Sequence, residues 1–304
     1  MCSSGFILID KPKGISSATC VNILRNKVGR KTKVGHAGTL DIPACGLLVL
    51  LLGKMTRTSP YVMNLPKTYV TTIKLGEQTD TDDSAGRVQR TGEWRHVGEE
   101  DIDIALMSFL GHRHQVPPKV SAISVNGRRA YEMARNNESP DLPDRVVFIQ
   151  SIKRTSPLSG EGKFTMELKC SKGTYVRGLA RDLGVKLGCY AHVDFLQRTK
   201  VGPFDLKDAI ALDCLDELSG EEVLAKVLSP YELLRAFCTG EANEQEEEAL
   251  KKGQSLANVP QIKDWGTIEP SKAFAVRGKN LISFCHIKWH DSGCIIKPVT
   301  NISL

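Results

Sequence analysis

At 304 residues, with 41% hydrophobic and 25% charged side chains, the chain can bury a substantial core without metals or disulfides, and its composition excludes intrinsic disorder. Against 35 Asp and Glu, 41 Lys and Arg leave a net charge of +6, an excess that suits polyanions without demanding them. The longest apolar run, Leu47 to Leu52, is far short of the roughly 20 residues of a membrane helix, the N-terminus lacks a charged stretch leading into an apolar one, and 9 scattered cysteines include no CxxC, so a soluble cytoplasmic protein with free thiols is expected.

Gly5 to Ile9 is an apolar run halted by Asp10, and LysProLysGly at 11 to 14 turns it. Ser16 or Ser17 caps the next helix, which sets Val21, Leu24 and Val28 on one face and stops at Gly29. Lys27, Arg30, Lys31 and Lys33 follow as a basic cluster, by itself a solvated surface. The stretch KVGHAGTLDIPACGLLVLLL, Lys33 to Leu52, then places Asp41 in a glycine-punctuated loop that runs into a buried segment. Working carboxylates are mounted this way, and so are ordinary tight connections.

Thr68 to Leu75 alternates with Tyr69, Thr71, Ile73 and Leu75 on one face, a strand that brings Lys67 and Tyr69 into the same sheet. ThrAspThrAspAspSerAlaGly at 79 to 86 groups Asp80, Asp82 and Asp83. Its glycine falls one place late for a calcium loop, and Thr91 stands where a bidentate glutamate would close it, so a polar turn capping the next element is expected. Asp101 to Leu110 has helical periodicity. From 115 to 143 the Pro117-Pro118 pair, a turn at Asn126-Gly127, Arg128, Arg129 and a short helix through Tyr131 and Arg135 read as an excursion from the core.

Phe164, Met166, Leu168 and Cys170 alternate with polar residues in a half-buried strand. Gly173 turns the chain, Thr174 is the expected N-cap, and Val176, Leu179, Ala180, Leu183 and Leu187 recur at helical spacing. Tyr175 and Arg177 thus fall in a first helical turn, beside backbone N–H groups that favour anions; the alternative is a surface arginine with Arg181 as its neighbour one turn on. The acidic run at 241 to 248 marks a boundary, as an exposed helix or linker, and short apolar pieces at 273–276, 281–284 and 294–296 point to a small β-rich domain. Cys285, His286, His290 and Cys294 lack zinc-ligand spacing and would alternate between strand faces, so no metal is expected.

Set side by side, these segments resemble the TruB family of tRNA pseudouridine-55 synthases. The likeness is carried by LeuIleAspLysProLysGlyIleSerSer (8 to 17), GlyHisAlaGlyThrLeuAsp (35 to 41), LysThrTyr (67 to 69), GlnValProPro (115 to 118) with SerAla (121 and 122), SerLysGlyThrTyrValArg (171 to 177), and LeuGlyCysTyrAlaHisVal (187 to 193) followed by Leu196 and Arg198, all in the family's order across roughly residues 5 to 235. It implies an α+β pseudouridine synthase core, a mixed and largely antiparallel sheet flanked by helices, over residues 1–236. A thumb-like insertion at about 115–143 and a small PUA-like domain at 237–304 would both contact RNA. Asp41 would be the essential aspartate, Arg177 its ion-pair partner and Tyr69 the aromatic that packs on the target base. His36, Lys11, Lys67, Lys172, Tyr175, Leu196 and Arg198 would contact RNA or shape the pocket.

Three positions depart from the family: Ile42 stands where proline follows the acid, Val120 where tyrosine is common, and Ser124 where lysine is common. The implied reaction moves uracil from its N1 to its C5 bond with no net redox change and no loss of atoms, so no cofactor is expected. The partner would be the tRNA T stem-loop, acted on by a monomer. Two other readings compete: the catalytic subunit of a guide-RNA particle, and a non-catalytic RNA-binding or RNA-folding factor.

Overall fold

The computed structural model describes residues 4–121, 123–125, 127–136, 138, 142–257, 273–290 and 293–304; Cys2, Ala122 and Asn126 lie outside the described residues. The elements used below are, in chain order, β1 (Gly5–Lys11), α1 (Ser17–Val28), β2 (Val34–His36), β3 (Cys45–Leu52), β4 (Lys67–Leu75), α2 (Glu99–Met107), β5 (Gly111–Gln115), β6 (Arg145–Arg154), β7 (Lys163–Cys170), α3 (Val176–Lys186), β8 (Ala191–Val201) and β9 (Ile210–Ala211). The C-terminal part adds β10 (Cys238–Glu241), α4 (Glu244–Lys251), β11 (Leu256–Ala257), β12 (Phe274–Arg277), β13 (Leu281–His290) and β14 (Gly293–Ser303). The chain divides into two compact units, one of Met1–Asp41, Leu47–Leu65 and Gly202–Leu304, the other of Ile42–Gly46 and Pro66–Val201.

In the first unit β9 lies parallel to β1, β1 neighbours β3, and β2 pairs antiparallel with β3. Gly46 to Leu52 is buried throughout because this run carries no polar side chain; Leu47 to Leu52 form the core with Phe6 to Ile9, Cys20 and Leu24. The two capping serines have separate tasks. Ser16 accepts the Thr19 N–H at 3.0 Å and caps α1, whereas Ser17 is buried and bonds Leu40. That inward bond goes with burial of Ser17, Cys20 and Leu24; of the face read from periodicity Leu24 is buried as expected, while Val21 and Val28 are half-buried.

The C-terminal strands form a sheet of order β10-β12-β13-β14-β11, the β-rich part expected from the short apolar pieces. It is seated on the helical turns of residues 53–64 within the same unit: Tyr61 stacks on Phe284 with centroids 4.1 Å apart, and Lys54 and Arg57 donate to the Ser303 and Asn301 carbonyls at 2.9 Å. The acidic run becomes α4, but it is not wholly solvated. Glu247 is buried, pairs with Lys251 at 2.9 Å and accepts the Asn280 N–H. Along β13 burial does not alternate as expected: Leu281 to Cys285 are all buried and Lys288 to His290 all exposed, so Cys285 enters the core while His286 and His290 are exposed.

The second unit is built on β5-β6-β7-β4-β8, antiparallel at every step, with Cys45 and Gly46 adding in parallel to Gln197 and Arg198 of β8. Gly46 permits this approach: its φ is +102°, and a Cβ there would stand 2.4 Å from the Arg198 carbonyl oxygen. α3 packs on β8 and α2 on β6, and Ile73, Leu168, Val147 and Val193 of this sheet are buried. α3 begins one residue later than a Thr174 cap would give. The Thr174 hydroxyl donates to the Ser171 carbonyl instead, and Tyr175 becomes the N-cap. Between β5 and β6 the excursion holds a hairpin of Ser124–Val125 on Arg128–Arg129 and a short helix, Ala130–Arg135.

Candidate functional site

In the first unit the Asp41 loop is the connection from β2 to β3. Pairing of His36 with Leu50 continues into a bond from the Ala37 N–H to the Val49 carbonyl, and the chain then leaves the ladder. Ser17 fixes the far side of the loop, accepting the Leu40 N–H at 2.9 Å and donating to the Leu40 carbonyl at 3.2 Å. The two bonds to one hydroxyl orient the peptide groups on either side of Leu40 and so restrain its φ and ψ, and the next residue, Asp41, leaves from a fixed point. Asp41 is half-buried, and the Ile42-Pro43 turn after it leaves Ile42 49% exposed. Ser59 donates to the His36 carbonyl at 3.2 Å, which holds the start of the same loop. Lys11 is fully buried. Its ammonium donates to the Pro12 and Ile15 carbonyls, both at 2.9 Å, and ties the LysProLysGly turn together.

In the second unit four of the sequence-selected residues meet on adjacent strands. Tyr69 of β4 stands opposite Arg198 of β8 and Leu168 of β7, Thr71 opposite Leu196, and Lys67 opposite Cys170. Lys67 is buried, and burial is the main cause of an ammonium pKa pushed down to about 7; the Arg198 charge adds to the effect, the Cys170 thiol opposes it, and Lys172 adds a little more. Lys172 itself is exposed. The other two lie at the start of α3. Tyr175 is clamped by the Gln115 amide, which accepts its N–H at 2.9 Å and donates to its carbonyl at 3.0 Å, while the Arg145 guanidinium sits 5.8 Å from its ring centroid. Gln115 and Arg145 are cross-strand partners at the two roots of the excursion.

Arg177 is 4% exposed. Its guanidinium donates to the Thr81 carbonyl at 2.8 Å and the Val120 carbonyl at 3.0 Å, and its Nε lies 3.6 Å from an Asp83 oxygen. Asp83 is held in turn by the Thr81 hydroxyl at 2.6 Å and the Ala85 N–H at 3.1 Å. The polar turn read at 79 to 86 does cap the following strand, Asp80 accepting the Arg87 N–H at 2.9 Å, but it is also a partly buried acidic loop whose Asp82 and Asp83 face the arginines of α3. Sequence reasoning passed over Asp82 and Asp83 as site residues. The sequence offered a doublet of acids and, far along the chain, two arginines at i and i+4 on one helix, but no sign that the two would meet. Arg181 is likewise engaged, with Asp82, Asp182 and the Val116 carbonyl. Among the described residues no His, Cys, Asp and Glu group has the arrangement of a metal site.

Residues 25–176 match the family model described as TruB family pseudouridylate synthase, N-terminal domain, and residues 177–235 that of the tRNA pseudouridylate synthase B C-terminal domain. The chain is 44% identical over 226 residues to tRNA pseudouridine synthase B of Cereibacter sphaeroides, covering 74% of each protein, and 38% identical over 297 residues to that of Ehrlichia chaffeensis, covering 98% of this chain and 96% of the relative. Among solved structures it resembles a chain of an H/ACA RNP bound to a substrate RNA containing 2'-deoxyuridine (TM-score 0.70, 21% identity, 99% of this chain and 85% of the other) and one of a Cbf5-Nop10-Gar1 complex (TM-score 0.69, 22% identity, 99% and 84%). At that identity the structures establish the fold alone.

Proposed function

Because the chain belongs to the TruB family of pseudouridylate synthases, isomerases that act on tRNA, we propose that it converts the uridine at position 55, in the tRNA T arm, to pseudouridine, with Asp41 acting at the sugar of a flipped nucleotide. What most supports this reading of Asp41 is its mounting: a half-buried carboxylate next to Leu40, whose N–H and carbonyl are both held by Ser17, in the loop where the family's essential aspartate stands. The reaction breaks the C1'–N1 bond, turns the uracil and joins C1' to C5; the C5 proton is lost and N1 gains one, so mass is unchanged. A carboxylate serves either by adding at the sugar or by removing the C2' proton, and neither route calls for a cofactor. A base inside the stack is out of reach of such a group, so the nucleotide must leave it, and an aromatic such as Tyr69 replaces the lost stacking.

Arg177 is taken, from the family resemblance, as the ion-pair partner of Asp41. His36, Lys172 and Tyr175 meet RNA directly. Leu196 shapes the pocket wall with Tyr69. Lys11, Lys67 and Arg198 act from behind the surface, since each is buried. The 115–143 excursion is the thumb that closes on the T stem-loop, and residues 237–304 form a PUA-like domain that lengthens the RNA surface of a cytoplasmic monomer. The test is incubation of unmodified tRNA transcript with the purified full chain, with no other RNA and no cofactor, followed by carbodiimide mapping. A single new pseudouridine at position 55 is expected. An unmodified position 55 would overturn the proposal, and modification only after addition of a guide RNA would replace it with the particle-subunit reading.

A further inference from the structure

Arg177 and Arg181 stand one turn apart on α3, and each joins the same two segments. Arg177 spans from Thr81 and Asp83 to the Val120 carbonyl. Arg181 spans from Asp82, at 3.1 Å, to the Val116 carbonyl, at 2.8 Å, with Asp182 closing the rest of its fork at 2.9 Å. The root of the excursion is thus tied twice to the 79–86 loop across one face of the helix. Gly178, between the arginines, makes room: a Cβ there would lie 3.3 Å from the Gln115 amide nitrogen and 3.4 Å from the Val116 carbonyl oxygen.

The arrangement is costly to hold. Asp82 is buried and carries a φ of +59°, a left-handed backbone that aspartate adopts more readily than most side chains and that its surroundings fix here. The constraint comes from β8, where Val193 donates to the Asp82 carbonyl at 3.1 Å and accepts the Ser84 N–H at 2.8 Å. Arg181, its donors taken by two carboxylates and a carbonyl, has little left to offer a phosphate.

We propose that the Asp82–Arg181 pair is a positioning device that seats the root of the excursion on the loop holding Arg177, so that one bracket places both the RNA-gripping segment and the arginine of the reaction centre. The consequence for turnover rests on the RNA-modifying reading above; the bracket itself does not. Hydrogen exchange of the free full-length protein tests it without RNA. Losing the bracket in Arg181→Ala or Asp82→Asn should speed exchange of the Ser84 and Tyr175 amides, which donate to the Val193 carbonyl and the Gln115 side chain, about tenfold, with Arg181→Lys intermediate. Asparagine tolerates the left-handed backbone, so Asp82→Asn removes the charge without forcing the loop to refold. Unchanged exchange in Asp82→Asn would overturn the proposal.

Binding of tRNA then separates positioning from phosphate contact. The bracket predicts weaker binding by both Arg181→Ala and Asp82→Asn, with the dependence on salt unaltered. If Arg181 holds a phosphate instead, Arg181→Ala reduces the slope of log affinity against log salt by about 0.7–0.9, and Asp82→Asn, by releasing the cation, tightens binding. That pair of results would also overturn it. Failure of the wild-type chain to modify tRNA would sink the proposed function and leave the exchange result standing.

Discussion

Replacing Lys67 by methionine should stabilise the protein near neutral pH, and by less as the pH rises. Lys67 is buried opposite Cys170 in the sheet, and burial pushes its ammonium from 10.5 down to about 7. Between those two values the unfolded chain binds more protons at this site than the folded one, so the stability of the wild type climbs with pH across that window. At about 1.4 kcal/mol per pH unit the gap corresponds to a penalty on the order of 4 kcal/mol at pH 7 and about 2 kcal/mol at pH 9. Methionine has an unbranched apolar stem of similar reach, so it fills the same space without the charge. Urea unfolding of wild type and Lys67→Met at pH 7, 8 and 9 measures the difference directly: the variant should be the more stable at pH 7, with the gap narrowing by about 2 kcal/mol at pH 9. Parallel pH profiles for the two proteins would show that the buried ammonium stays charged and compensated, and would refute the reasoning.

Ser17→Ala should cost about 1–3 kcal/mol in urea, because it leaves both backbone groups of Leu40 without the buried hydroxyl. The same variant should slow single-turnover modification while leaving the tRNA dissociation constant unchanged, since the loop of Asp41 loosens and the RNA surface does not. Gly46→Ala should destabilise by roughly 2–4 kcal/mol, as a Cβ meets the Arg198 backbone and the φ is unfavourable for any L side chain; the thermal midpoint reports it.

What the sequence showed of the fold was its periodic part. Alternation placed Tyr69, Thr71, Ile73 and Leu75 on one face of β4, and Phe164 to Cys170 opposite them in β7, because each strand is buried on that face only. Choices between chemically equivalent neighbours were not legible. Ser16 and Ser17 are both good caps, and only the three-dimensional position of Leu40 draws Ser17 inward. Thr174 and Tyr175 differ by the local bond to Ser171 in the same way. At the site, motif order marked Asp41, Tyr69 and Arg177, but the burial of acids could not be read from their own neighbourhood. Asp82 and Asp83 look like any polar turn until α3, nearly 100 residues on, brings Arg177 and Arg181 against them. Glu247 has the same history: a member of an acidic run that folds inward to receive Lys251 and the Asn280 N–H.

The central claim is that Asp41 performs the chemistry, and it is tested most directly by release of tritium from tRNA labelled at C5 of its uridines, with wild type and Asp41→Asn compared in single turnover. Loss of the carboxylate should cut the rate by at least ~10³-fold, a loss of about 4 kcal/mol or more of transition-state stabilisation. The tRNA dissociation constant of the variant should stay close to that of wild type. An Asp41→Asn protein that releases tritium at a rate near the wild-type one would contradict the account.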